Sequence, residues 1–178
     1  MKIRDLTLIP LFSALISVCA WITIPVPFAA PITLQTFAVF LTYMLLGGKR
    51  GSFSVLVYIL LGAVGVPVFS GFRGGLSHIF SPGGGYIIGF LGMGLVCLLF
   101  ETVFRRVRYG YAVGALIGLL VCYLFGTVWF VALYEGNINF ISVLLMCVIP
   151  YIPFDLLKFS LACIVAKKLK YYIGKTKI

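Results

Sequence analysis

Near its C-terminal end the chain reads Pro150-Tyr151-Ile152-Pro153-Phe154-Asp155-Leu156-Leu157-Lys158, an acid and a base set into an apolar stretch. The whole sequence of 178 residues holds only four acidic side chains, so one placed here stands out. Charge inside a membrane span is costly, and an ionisable residue kept there is by default a functional-site hypothesis. Three residues apart, Asp155 and Lys158 share one helix face. They either neutralise each other or hold a polar ligand between them.

The elements that must position this pair are set by composition. The chain is 62% hydrophobic and 10% charged, against about 25% charged residues in a soluble domain. It reads as an integral membrane protein with almost nothing left over for a soluble domain. Lipid leaves only helices or a closed barrel, and long apolar runs without strand alternation decide for helices. Cys19, Cys97, Cys122, Cys147 and Cys163 are odd in number, scattered and without a C-x-x-C pair. They read as small packing residues, indicating neither a disulfide framework nor a metal site. The net charge of +10 does not point to nucleic acid, because the bases fall in short clusters between apolar runs, as cytoplasmic loops require. The opening Met1-Lys2-Ile3-Arg4 and the apolar run after it read as a retained first span, since Leu6 to Ile24 is long for a signal peptide.

Six spans follow, in a single membrane domain over 1–178. They run about Asp5 to Ile24, Leu34 to Leu46, Ser52 to Val66, Tyr86 to Phe104, Gly110 to Leu133 and Pro153 to Leu169. Phe140 to Ile149 is too short to cross a bilayer and reads as a half-helix before the Pro150 and Pro153 break. Lys2, Arg4, Lys49, Arg50, Arg105, Arg106, Arg108, Lys167, Lys168, Lys170, Lys175 and Lys177 then fall on one face. The positive-inside rule makes that face cytoplasmic, with both termini inside. Asp5, Glu101 and Glu135 read as interfacial, leaving Asp155 as the intramembrane acid. Arg73 and Lys158 belong to the opposite half.

Three irregular segments converge on that outer half: Pro25 to Thr36, Gly65 to Tyr86, and Pro150 to Lys158. Irregular backbone at membrane depth is tolerated only where it is buried in protein or lines a cavity. Glycines allow close backbone approach to a ligand. Phe28, Phe69, Phe72, Tyr86 and Tyr151 offer flat apolar walls, with few polar groups left to fix orientation. His78, the one histidine, reads as a loop surface residue. Gly83 to Gly85 lacks the Lys-Ser/Thr of a phosphate loop.

These residues together resemble a known family. Pro-Val-Pro followed by Thr33-Leu-Gln35-Thr36-Phe37, Gly62-Ala-Val-Gly65-Val-Pro67-Val-Phe69, Pro82-Gly-Gly-Gly85-Tyr86-Ile-Ile-Gly89-Phe90, and Pro150 to Lys158 are similar to BioY. That family comprises the biotin-specific S components of energy-coupling factor (ECF) transporters, and the likeness covers nearly the whole chain in order. It implies an all-α bundle of six transmembrane helices in the cell membrane, capturing biotin on its outer face without a cofactor. It also implies a transmembrane coupling subunit and two cytoplasmic ATPases as partners. Two departures stand out: Gly83 where the family carries Thr, and Arg73 in the preceding loop. The family's Ala-x-x-x-Ala contact for the coupling subunit falls at Ser13 and Ser17, small enough for close helix approach.

Biotin carries a ureido ring, an apolar thioether ring and a carboxylate. The resemblance makes Asp155 the acceptor for the ureido N–H groups, while Lys158 donates to the ureido oxygen or meets the carboxylate. Arg73 is the other carboxylate candidate. Gln35 and Thr33 supply neutral hydrogen bonds, Tyr86 a ring and a hydroxyl, and Gly84 a close backbone. The chain lacks a Walker motif, so powered uptake falls to partners. The alternatives are an S component or small transporter for another vitamin, which the Asp-x-x-Lys pair alone does not separate from biotin, and a membrane enzyme. An enzyme would need paired acids or a metal cluster, and the acids here are few and dispersed. The reading is therefore non-enzymatic.

Overall fold

Backbone groups in lipid find partners most simply within a helix, and the long apolar runs of this chain fold accordingly. A computed structural model describes residues 3–26, 31–103, 110–134 and 139–175, with the backbone alone for Arg4 and residues 172–175. Lys2, Phe28, Arg105, Arg106, Arg108, Glu135 and Lys177, all used in the sequence reading, lie outside the described residues. The elements are α1 (Ile3–Trp21), β1 (Thr23–Ile24), β2 (Ile32–Thr33), α2 (Gln35–Ala63), α3 (Leu76–Ile79), α4 (Gly84–Val103), α5 (Gly110–Leu133), α6 (Phe140–Cys147), a 3-10 turn (Ile149–Tyr151) and α7 (Ile152–Lys175).

Four helical runs are long and apolar enough to cross a bilayer: Gln35–Ala63, Gly84–Val103, Gly110–Leu133 and Phe140–Tyr171, with Asp5–Trp21 a shorter apolar helix. The second and third expected spans both fall in the 29-residue element α2, as two helical stretches joined at Gly47. It is not straight. At Gly47 the backbone leaves the helix, with φ 81° and ψ 178°, a left-handed φ that glycine adopts without steric cost. The Gln35 side chain donates to the Tyr58 hydroxyl at 3.1 Å, whereas 23 residues of straight helix would part them by about 35 Å. The chain therefore folds back at Gly47 into two antiparallel arms.

Side-chain contacts sort the helix ends into two groups. At one end Arg50 Nε pairs with Asp5 Oδ1 at 2.9 Å. Gly48 N–H donates to Glu101 Oε1 at 2.5 Å, and Lys170 Nζ sits 4.9 Å over the Tyr111 ring. At the other end Trp21 Nε1 donates to the Pro67 carbonyl at 2.8 Å and Trp129 Nε1 to that of Ser81 at 3.2 Å. The chain thus reverses direction between successive helices, and the irregular segments gather at the second end.

Two local departures from the sequence reading have simple causes. The first helix stops at Trp21 rather than Ile24, and Thr23 and Ile24 pair antiparallel with Thr33 and Ile32. These β-branched residues suit a pleated strand, and Pro25 and Pro31 cannot extend a helix from within. An otherwise all-helical bundle therefore carries a two-residue clasp around its Pro-rich loop. The expected half-helix is α6, and Pro153 sits in the first turn of α7, where a missing N–H costs nothing.

The bundle is apolar outside as well as inside. Leu95, Leu120, Leu124 and Leu157 are each more than 60% exposed, an outer surface suited to lipid. Inside, α4 and α5 approach through small residues. A Cβ at Gly118 would lie 2.6 Å from Met93 Cγ, and one at Gly89 would lie 2.8 Å from Cys122 Sγ. Ser13 and Ser17, expected on a partner-facing stripe of α1, are instead buried, and Ser17 Oγ donates to the Ser13 carbonyl at 3.0 Å. Two small residues one helical turn apart suit a close helix interface, and α1 packs on α2. The exposed side of α1 carries Leu6, Pro10, Leu11, Ala14 and Val18.

Candidate functional site

At the loop-rich end the first turns of α2, α4 and α7 meet the middle of α5 around a cavity of about 130 Å³. That is roughly ten times the space one water needs. α2 contributes Gln35 and Thr36, α4 contributes Tyr86 and Phe90, α5 contributes Cys122 and Tyr123, and α7 contributes Asp155 and Lys158. Thr33, Ser70, His78 and Tyr151 also line it.

The centre of the site is a charged network. Asp155 and Lys158 are 3% and 8% exposed and pair at 2.8 Å. Thr36 Oγ1 donates to Asp155 Oδ1 at 2.7 Å and accepts from Lys158 Nζ at 3.0 Å. Tyr123 donates to Asp155 Oδ2 at 2.5 Å. Burying an ion pair is tolerable when further hydrogen bonds satisfy its remaining valences, and Thr36 and Tyr123 do so. Asp155 also lies in the first turn of α7, where the helix dipole favours negative charge.

The expected site residues divide cleanly. Asp155, Lys158, Gln35, Thr33 and Tyr86 line the cavity. Arg73 lies outside it, in an adjoining recess with Thr23, Pro25, Val26 and Gly71, and Pro31 and Ser70 line both spaces. Gly84 is not on the wall; Gly83 is. A Cβ at Gly84 would run into the Ile79 carbonyl, so this glycine holds α4 against α3. Gly84→Ala is expected to cost about 1–3 kcal/mol through overpacking, read as a melting temperature lowered by several degrees.

Several cavity residues escaped the sequence reading, Tyr123, Thr36 and His78 among them. Tyr123 sits among apolar residues of α5, and the only clue was that a buried phenol needs a partner. Thr36 was part of a quoted motif but not singled out. His78 proves to line the cavity, its ring stacked on Phe69 with centroids 5.2 Å apart. Burial lowers its pKa below the ordinary histidine value, and the nearby Arg73 charge adds to that. The ring is therefore neutral near pH 7 and offers a hydrogen bond rather than a charge. Among the described residues no cluster of three His, Cys, Asp or Glu side chains could hold a metal.

An apolar helical bundle closing a solute-sized cavity over a satisfied ion pair defines a membrane protein with a small-molecule binding site at one end. Comparison with known proteins narrows this: the BioY family model matches residues 1–175, and the chain belongs to that family. It is 40% identical to a probable biotin transporter BioY of Pyrococcus horikoshii over 96% of this chain and 98% of that one. Identity to the biotin transporter BioY of Thermotoga maritima is 38%, covering 94% and 96%. The fold superposes on a crystal structure of the S component for biotin from an ECF-type ABC transporter with TM-score 0.84, 26% identity, and 96% and 92% coverage. The resemblance read from the motifs is thus the family found.

Proposed function

We propose that this chain is the biotin-binding S component of an ECF-type transporter, capturing biotin at the loop-rich end for import powered by partner subunits. The observation that carries the reading is the Asp155–Lys158–Thr36–Tyr123 network lining the cavity of a BioY-family chain. Its valences support one orientation of the ligand. Asp155 Oδ1 already accepts two hydrogen bonds, while Oδ2 accepts one, from Tyr123. Lys158 donates to Asp155 and to Thr36, and an ammonium has three donors. One acceptor, on Asp155 Oδ2, and one donor, on Lys158 Nζ, remain within the network, the complement of the N–H and C=O of a cyclic urea. Asp155 and Lys158 accordingly take the ureido ring. Arg73, in the adjoining recess, takes the carboxylate.

Gln35 and Thr33 complete the polar wall, Tyr86 and Tyr151 flank the thioether ring, and Gly84 keeps α4 in place beneath them. Several charge-assisted hydrogen bonds at about 1.5–3 kcal/mol each, with apolar burial, reach the roughly 12 kcal/mol of nanomolar affinity. Tyr123→Phe removes one donor to Asp155 while keeping the cavity shape. It is expected to weaken biotin binding several-fold, about 1 kcal/mol, by titration calorimetry.

The single domain over 1–178 spans the cell membrane six times, α2 counting twice. The base-rich end, with both termini, faces the cytoplasm and the cavity faces out. A transmembrane coupling subunit and two ATPases supply the energy. With Ser13 and Ser17 turned inward, the exposed side of α1 around Pro10, Ala14 and Val18 is the face that receives the coupling subunit. The deciding experiment is equilibrium binding of labelled biotin to detergent-purified protein, competed with thiamine and riboflavin. Saturable binding displaced by unlabelled biotin alone supports the reading. Displacement by another vitamin would move it to that ligand, and no saturable binding would end it.

A further inference from the structure

Opposite the cavity, the bundle opens into a cleft that vitamin capture does not use. α7 packs along α2, and α5 along α4, so α5 and α7 flank a gap near the Gly47 turn. The gap has two joined compartments. One, of about 390 Å³, is lined by the small residues Ala112, Cys163 and Ala166 together with Lys167. The other, of about 750 Å³, is lined by polar groups including Lys49, Arg50 and Glu101. Tyr111, Met44 and Lys170 border both. Two of the charges are already engaged, Arg50 by Asp5 and Glu101 by the Gly48 N–H. Lys49 and Lys170 of the polar compartment, and Lys167 of the other, pair with no carboxylate among the described residues, leaving the cleft with surplus positive charge.

A cationic pocket that continues into a mostly apolar groove matches an amphiphile with an anionic head. We propose that this cleft binds an anionic phospholipid, its phosphate held between Lys49 and Lys170 and one acyl chain lying along Ala112, Cys163 and Ala166. A free phosphate ion would have no use for the groove, and a zwitterionic lipid would leave the lysines uncompensated. Basic pockets between membrane helices recognise lipid headgroups through this chemistry.

The test uses delipidated full-length protein titrated in mixed micelles with phosphatidylglycerol or phosphatidylcholine, with bound lipid counted by native mass spectrometry. Phosphatidylglycerol is expected to be retained about tenfold better. That preference is expected to vanish in Lys49→Gln/Lys170→Gln. Cys163→Phe, which fills the groove and leaves the charges, should also lower retention, and inorganic phosphate should not displace the lipid. A single elution peak and an unchanged melting temperature without lipid identify a folded variant. Equal retention of the two lipids, or phosphatidylglycerol retention unchanged in both variants, would overturn the proposal and leave the cleft to a partner protein. Displacement by inorganic phosphate would overturn it in favour of a simple anion site.

Discussion

Asp155→Asn is expected to weaken biotin binding by at least tenfold while the protein remains folded. The substitution keeps shape but removes the charge that Lys158, Thr36 and Tyr123 all address. It also places an amide N–H₂ among donors, so one contact must turn or break. The lost charge-assisted bond is worth about 1.5–3 kcal/mol, or roughly ten- to a hundredfold in affinity. Titration calorimetry on detergent-purified protein reads the effect, and a thermal melt separates it from unfolding. Unchanged affinity would remove Asp155 from the ligand.

Lys158→Met is expected to act on stability as strongly as on binding. It strands a carboxylate that is 3% exposed with only the Thr36 and Tyr123 hydroxyls for partners. Removing one member of a buried pair costs about 3–5 kcal/mol, while removing both is often neutral. The double variant Asp155→Asn/Lys158→Met should therefore regain most of the lost melting temperature yet still fail to bind biotin. A Lys158→Met protein that melts like the parent would show that the pair is not buried as described. The comparison separates what the pair does for the fold from what it does for the ligand.

How much of this was readable beforehand depended on whether a residue departed from its surroundings. Asp155 and Lys158 did, because charge is rare in an apolar run. Gln35 and Thr33 did too, beside prolines that interrupt the helical pattern. The contrast between base clusters and Gly/Pro-rich loops separated the two ends of the bundle. Tyr123 gave no such contrast, since an aromatic in an apolar helix looks like packing until its hydroxyl finds an acceptor. Ser13 and Ser17 were visible as small residues, but nothing local says which neighbour a small residue admits. Gly84 reads as a backbone contact, and only the proximity of Ile79 shows that it serves packing. Arg73 was recognised as an outer-half charge, but its placement in a side recess depends on the path of a long loop that periodicity cannot trace.

The Gly47 fold-back bears on how the protein is made. A helix of 29 residues would be about 44 Å long, enough to cross a hydrocarbon core of about 30 Å once with length to spare. If the segment were inserted as a single crossing, every later helix would enter the membrane upside down. Lys49 and Arg50, directly after the turn, resist translocation. In the six-span topology proposed above, one left-handed glycine and two bases thus fix the orientation of all that is synthesised after them, the Asp155 end of α7 included.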